Sequence, residues 1–351
     1  MFPPPSAIYR YSNDIHHAVE ESELYTLLDN MTKNSLPEYS EGQYIEGRFT
    51  HIKTMNKLFH NYSYGSLRSA LSNHMENKII HYSSPMIPLK LNPKTKVVTF
   101  HDPPSILQNS EMFSIESEIS SFKNGMRTKF QSRYYKYFRT YENVLTVSNY
   151  VRTLLINEGF NENTKVIYPC ISTTFKFLED KQSIKNKLGL PGDKVCILSV
   201  STSLKRKNLK MVKKTMELLG EKFKLVRVGS PVMSDEITFT NINNELMNQI
   251  YNACDVMLFP SLYEGFGYPL VEAFATGLPV VASDIEVFRE TSGGDSAILT
   301  NPSDPSSLVK AVKDALDTSE ELAKKGVRRA ELFSFKRFSK EINEYYRAIL
   351  T

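Results

Sequence analysis

Residues 264–272 read "EGFGYPLVE". Two carboxylates stand eight positions apart, separated by a Gly-Phe-Gly turn and a proline. The stretch follows a short apolar run, Asp255-Val256-Met257-Leu258-Phe259-Pro260, and leads into 269–275, which ends at Gly277. Proline at the first helical position and glycine just past the end are helix punctuation. The spacing therefore predicts a strand, a tight loop and a helix.

The same scheme recurs on both sides. Downstream of the chain's midpoint, "KVCILSV" (194–200), "FKLVRVG" (223–229), "DVMLFP" (255–260) and "PVVAS" (279–283) are near-continuous apolar strands. Helical stretches follow them, among them "NLKMVKKTMELLG", with Met211, Val212, Met216 and Leu219 on one face. Upstream, "KIIHYS" (78–83), "KVVTF" (96–100), "NVLTVS" (143–148) and "KVIYP" (165–169) are read as strands, and Val151, Leu154 and Leu155 share a helical face. Alternation of apolar strands with helices predicts an α/β fold with parallel sheets covered on both faces. Two such runs, divided near 168–180, predict two doubly wound, Rossmann-like domains with a cleft between them. The boundaries are set at 1–171, 172–332 and a terminal helix, 333–351.

Composition bounds the function. A chain of 351 residues with 41% hydrophobic content suits two domains of ordinary size. No stretch reaches the roughly 20 apolar residues of a membrane span, and the N-terminus lacks the pattern of a secretory signal. The three cysteines, Cys170, Cys196 and Cys254, lie far apart and make no C-x-x-C. Cytoplasmic residence is the expectation. Histidines and cysteines show no metal-ligand spacing, and no Asp-x-Asp occurs, so no metal is expected. The net charge of +4 is mild, but "KRKNLKMVKK" (205–214) and "RTKFQSRYYKYFR" (127–139) concentrate it. A solvated helix face, an anionic ligand and an acidic membrane surface all account for such clusters.

Ligands of open parallel sheets bind where strand C-termini feed helix N-termini. After strand 194–200 the chain reads "SVSTSLKRKNLKM". Arg206 and Lys207 precede Asn208, which reads as a helix N-cap. Two cations at a helix start form an anion site, with phosphate the usual occupant; a basic, well-capped surface helix reads the same way. Gly265 and Gly267 let a ligand approach the backbone, and the following helix adds its dipole. Glu264 can accept hydrogen bonds from sugar hydroxyls and Glu272 from a ribose diol. His101 and Asp102 stand at the end of strand 96–100, although Asp-Pro also favours a plain turn. The stretch 291–307, with Gly293-Gly294 and Asp304-Pro305, is read as architecture.

Taken together these pieces resemble the family 4 retaining glycosyltransferases of GT-B architecture, over about residues 3 to 348. The most specific segment is "FPSLYEGFGYPLVEAFATGLPVVAS" (259–283), which is similar to the family's E-x7-E signature. "VSTSLKRKNL" (200–209) resembles the phosphate-binding segment, and "VVTFHD" (97–102) and "VLTVSNYVRTLL" (144–155) resemble acceptor-domain strands. The resemblance implies transfer of a hexose, with mannose favoured and GDP-mannose as the donor type, to a glycan, lipid-linked or other hydroxyl. Retention and metal independence are implied, with no cofactor beyond the nucleotide-diphosphate sugar. His101, Lys207 and Glu264 take the catalytic roles. Arg206, Thr202, Gly265, Phe266, Gly267, Tyr268, Leu270, Val271, Glu272 and Gly229 make the donor side, and Asp102 and Ser148 join the acceptor side. By the same resemblance the terminal helix, carrying Phe338, Ile342, Tyr345, Tyr346 and Ile349, returns to the first domain; capping the second domain is the other reading.

Two departures stand out. Ser201-Thr202-Ser203 occupies positions where many family members carry an arginine, while a mannosyltransferase-like subset reads threonine there. "FPPPSAIYRYSNDI" (2–15) resembles the loop and helix after a first strand, with Ala7 at a usual glycine, and no such strand precedes it. Either the start lies upstream or the sheet is built without it. Rival readings are a catalytically idle partner subunit of this fold and a nucleic-acid or acidic-surface binder; the second leaves both glutamates and the glycine pair unused, so no nucleic-acid partner is expected. The basic, aromatic stretch 125–141 suits peripheral contact with anionic lipid at the inner membrane face.

Overall fold

The computed structural model of the protein describes residues 10, 11, 14, 15, 17, 18, 49–52, 79–82, 95–102 and 136–350. These fall into two compact units. One holds the described residues up to Cys170 together with Phe335 onwards, and the other is Ile171–Ser334.

The first unit is built on a parallel sheet of β1 (Phe49–Ile52), β2 (Ile79–Tyr82), β3 (Thr95–Phe100), β4 (Asn143–Thr146) and β5 (Lys165–Val166). Its strands lie side by side in chain order. Val97, Val98, Thr99 and Phe100 are all buried, as are Val144, Leu145 and Thr146. Burial of successive residues is what a strand covered on both faces requires. After β4 the hydroxyl of Ser148 accepts from Val151 N at 3.2 Å and starts α1 (Asn149–Asn157), which turns Val151 and Leu155 inward.

The second unit begins with α2 (Lys181–Lys187) and then alternates. Its elements are β6 (Val195–Val200), α3 (Leu209–Leu219), β7 (Phe223–Val228), β8 (Glu236–Phe239), α4 (Asn244–Ala253), β9 (Val256–Phe259), α5 (Tyr268–Ala275), β10 (Val280–Ser283), α6 (Glu286–Ser292), β11 (Ile298–Thr300), α7 (Pro305–Asp317) and α8 (Ser319–Ala330). All six strands are parallel, in the order β11-β10-β9-β6-β7-β8. The chain starts in the middle at β6 and winds outward to β8. It then returns to the other side of β6 as β9 and winds away. The β6–β9 pair, with Ile197 opposite Val256, is therefore the switch point. Ile197, Leu225, Val256, Leu258 and Val281 share one core with Met211, Val212 and Met216 of α3 and Leu308 and Val312 of α7.

α9 (Phe335–Leu350) buries Phe338, Ile342 and Tyr346, which recur at helical spacing, and belongs to the first unit. Phe338 meets Tyr11 edge-on with ring centroids 5.5 Å apart, and Asn343 Nδ2 donates to Ala18 O at 3.0 Å. The His81 ring bridges Thr99 Oγ1, at 2.7 Å, and the hydroxyl of Tyr346.

Several expectations are corrected. α5 starts at Tyr268, one residue before the proline, because Gly267 with φ 93° is its N-cap; Pro269 sits at the second position, where its missing N–H costs nothing. β1, β8 and β11 are strands that hydrophobic patterning does not announce, and only Lys165–Val166 of 165–169 is a strand. Of the basic stretch 125–141, residues 136–138 are helical and 139–140 a turn. Tyr141 is buried beyond that turn, and 125–135, like Ala7 and the rest of 2–9, lies outside the described residues.

Candidate active site

The strands of the second unit deliver two loops to the C-terminal side of the switch point. The loop after β6 tightens into a 3-10 turn, Lys205–Lys207. The loop after β9 runs through Pro260–Gly267. Backbone and side chain sew the two together: Leu262 N donates to Arg206 O at 2.7 Å. Asn208 Nδ2 donates to Pro260 O at 3.1 Å and to Pro302 O at 2.9 Å. Asn208 does hold the N-cap position of α3, but in a left-handed conformation with φ 56° and without a side-chain cap bond. Asparagine tolerates that conformation better than most residues. Its amide is spent on joining three loops.

Arg206 and Lys207 both converge on Glu264. Arg206 Nη1 donates to Glu264 Oε2 at 3.1 Å and to Tyr263 O at 3.1 Å, and Lys207 Nζ pairs with Glu264 Oε1. The three side chains are 14%, 11% and 8% exposed respectively, so the cluster is nearly dry. Burial works against the charged carboxyl, yet the cations Lys207 and Arg206 overrule it and hold Glu264 below the ordinary glutamate range. Lys207 Nζ also lies 5.6 Å from the centroid of the Phe259 ring, close enough for a cation–π contact.

The glycine-flanked turn brings a helix N-terminus to the same loop. A Cβ on Gly267 would lie 2.8 Å from the Phe288 ring, so this position admits no side chain. Thr291 Oγ1 donates to Phe266 O at 3.0 Å and fixes the turn from behind. Gly265, Phe266 and Tyr268 are buried with it. Leu270 and Val271 are fully buried core residues, so only their main chain can serve a ligand; the N–H of Leu270 already bonds Gly267 O at 3.0 Å. Glu272 is 2% exposed and accepts from Tyr251 Oη at 2.8 Å. Tyr251, on α4, is a member of the cluster that the sequence conceals: it reads there as one more apolar position of "NELMNQIYNA". Thr202 is exposed, and Gly229 ends β7 with φ 134°.

The remaining candidates belong to the first unit. His101 is buried at the end of β3, with Tyr11 edge-on at 4.9 Å between centroids, and Asp102 is half-buried beside it. Ser148 is buried and its hydroxyl serves as the cap of α1. Among the described residues no group of His, Cys, Asp and Glu is gathered so as to hold a metal ion, and no helix is long and apolar enough to cross a membrane.

Comparison with known proteins defines the class first. A crystal structure of a glycosyltransferase from Rickettsia africae superposes with a TM-score of 0.68 at 15% identity, covering 98% of this chain and 95% of that one. Anabaena HepE, solved with UDP and glucose, superposes with a TM-score of 0.63 at 17% identity over 81% of each chain. The fold is GT-B, two units of parallel α/β structure in one chain. Residues 180–332, which contain the whole cluster around Glu264, match the model of the Glycosyl transferases group 1 family. Its relatives include an uncharacterized glycosyltransferase, MJ1607, of Methanocaldococcus jannaschii, 28% identical over 211 residues, 52% of this chain and 53% of that protein. The O-antigen chain mannosyltransferase RfbU of Salmonella typhimurium is 28% identical over 193 residues, 49% of this chain and 50% of that protein. The match thus spans about half the length of these curated relatives.

Proposed function

We propose that the protein is a retaining glycosyltransferase. It moves a hexose, mannose in the favoured case, from a nucleoside-diphosphate sugar to a hydroxyl of a glycan or lipid-linked acceptor. The observation that carries this reading is the convergence of Arg206 and Lys207 on buried Glu264 at the switch point, beside the glycine-capped start of α5. Mannosyltransferases such as RfbU among the relatives support the choice of sugar.

In this reading the donor diphosphate enters between the two loops and takes a share of the Arg206 and Lys207 hydrogen bonds now made to Glu264. The freed carboxylate lone pairs then accept from hydroxyls of the sugar. Glu272, steadied by Tyr251, accepts from the ribose diol. Bond breaking at the anomeric carbon leaves negative charge on the diphosphate, and the cations and the α5 N-terminus stabilise it where it forms. These groups carry the charge that a divalent metal carries in other transferases. The acceptor hydroxyl attacks the oxocarbenium-like centre from the face the nucleotide leaves. Its proton passes to the departing phosphate oxygen, so configuration is kept and no separate protein base is needed. His101 keeps its catalytic assignment, toward the transferred sugar, and Asp102 is assigned to the acceptor side.

Thermal-shift measurement with GDP, UDP and ADP, then with their sugar conjugates, tests the donor class, because a true ligand raises the transition by mass action. NMR of the product's anomeric centre tests retention. Absence of any nucleotide-dependent shift, or an inverted product, sinks the corresponding half of the proposal.

A further inference from the structure

β7 carries a charged residue inside an apolar run, "FKLVRVG" (223–229). Arg227 is fully buried. Its Nη1 donates to Ser199 O at 2.8 Å and to Val228 O at 3.0 Å, and its Nη2 donates to Ser201 O at 2.5 Å and to Ser201 Oγ at 3.1 Å. Among the described residues it forms no ion pair. Burial pushes the guanidinium down to about 10, with the more distant Glu236 opposing. That carboxylate is already occupied by Val232 N, Met233 N and Thr238 Oγ1. Gly229 completes the arrangement. A Cβ there would lie 2.2 Å from Ser201 O and 3.0 Å from Arg227 Nη2, so the end of β7 can close on Ser201 only without a side chain.

A buried cation without a counter-charge is costly, and an aliphatic residue in a central strand is not. Its retention here needs a use beyond packing. Three of its four hydrogen bonds reach Ser199 and Ser201, the exit of β6 that leads to the Arg206–Lys207 site, and the fourth stays within β7 at Val228 O. We infer that Arg227 is a positioning residue for the donor diphosphate. It clamps the exit of β6 so that the Ser201–Leu204 loop holds its course into the Lys205–Lys207 turn, and the anion arriving there supplies the missing counter-charge. This rests on the donor reading above and extends it to a residue that does not itself touch the ligand.

The test compares GDP, UDP and ADP with their parent nucleosides in calorimetric titrations of the wild type, Arg227→Met and Arg227→Lys. Arg227→Met should weaken the bound diphosphate about tenfold while leaving affinity for the matching nucleoside unchanged. Arg227→Lys, which keeps the charge and loses the fork, should recover part of that loss. If Arg227→Met does not fold, the lysine variant decides: about threefold weaker diphosphate binding at constant nucleoside affinity upholds the assignment. Equal diphosphate affinity in wild type and a folded variant overturns it, as does a parallel loss for nucleoside and diphosphate. A wild type that binds none of the three diphosphates overturns the donor reading itself, a result separable from either of these.

Discussion

The β6–β9 strand pair has a carboxylate with two cations at each of its ends. At the start of β9, Asp255 accepts from Lys181 at 2.7 Å, Lys185 at 2.9 Å and the backbone N–H of Cys196 at 2.7 Å. Beyond its end, Glu264 is held by Arg206 and Lys207. In both, burial opposes the charge and the lysines and arginine overrule it, so both carboxyls lie below their ordinary range. Charge composition therefore does not separate architecture from site. Direction does. The Asp255 cluster fastens α2 to the N-terminal edge of the sheet, and Lys181 Nζ is also spent on Cys254 O at 2.6 Å. The Glu264 cluster lies at the C-terminal edge, where the strand order reverses and a glycine-capped helix begins. Only there do loops and a helix N-terminus face outward from strand ends to receive a ligand.

The largest expected asymmetry is in turnover. Lys207→Ala should lower kcat at saturating donor by about 100-fold or more, as removal of a charge-stabilising donor does elsewhere. Lys185→Met should leave kcat unchanged. Steady-state kinetics on both variants breaks the comparison if the two behave alike.

Stability should show the reverse pattern. Asp255→Ala leaves Lys185, 7% exposed, without its partner and should cost about 3 kcal/mol in urea unfolding. Activity per folded molecule should be retained. Tyr251→Phe is smaller: losing the hydroxyl that steadies Glu272 should raise donor KM about five- to tenfold with kcat little changed.

The pH dependence is smaller again. Both carboxyls are depressed in the folded state, so each contributes stability that is complete above the unfolded value, about 4. That contribution is lost as pH falls from there through the folded value. Urea midpoints measured from pH 7 down to pH 3 should drop steeply for the wild type and less steeply for Asp255→Asn and Glu264→Gln. Only Glu264→Gln should also alter donor binding.

Much of this frame was legible beforehand. Apolar runs announced β6, β7, β9 and β10 because strands covered on both faces are mostly apolar. β8, "EITF", and β11, "ILT", escaped because short edge strands are half exposed and hold little apolar signal. Arg206, Lys207, Glu264 and Glu272 stood out by type and spacing. The direct grip of the cations on Glu264 did not, because it depends on two loops 57 and 58 positions apart meeting at the switch point. Asn208 was recognisable as a helix-start residue, but its bonds to Pro260 and Pro302 follow from tertiary contact alone. Tyr251 gave no signal. Arg227 gave one, a charge in a central strand.

The central claim is that the C-terminal end of the β6–β9 pair grips a diphosphate. Calorimetric titration of GDP, UDP and ADP into the wild type, Lys207→Ala and Lys185→Met tests it most directly. The account predicts that at least one diphosphate binds the wild type and Lys185→Met equally and Lys207→Ala at least about tenfold more weakly. Equal binding to all three proteins, or a loss as large in Lys185→Met as in Lys207→Ala, would contradict it.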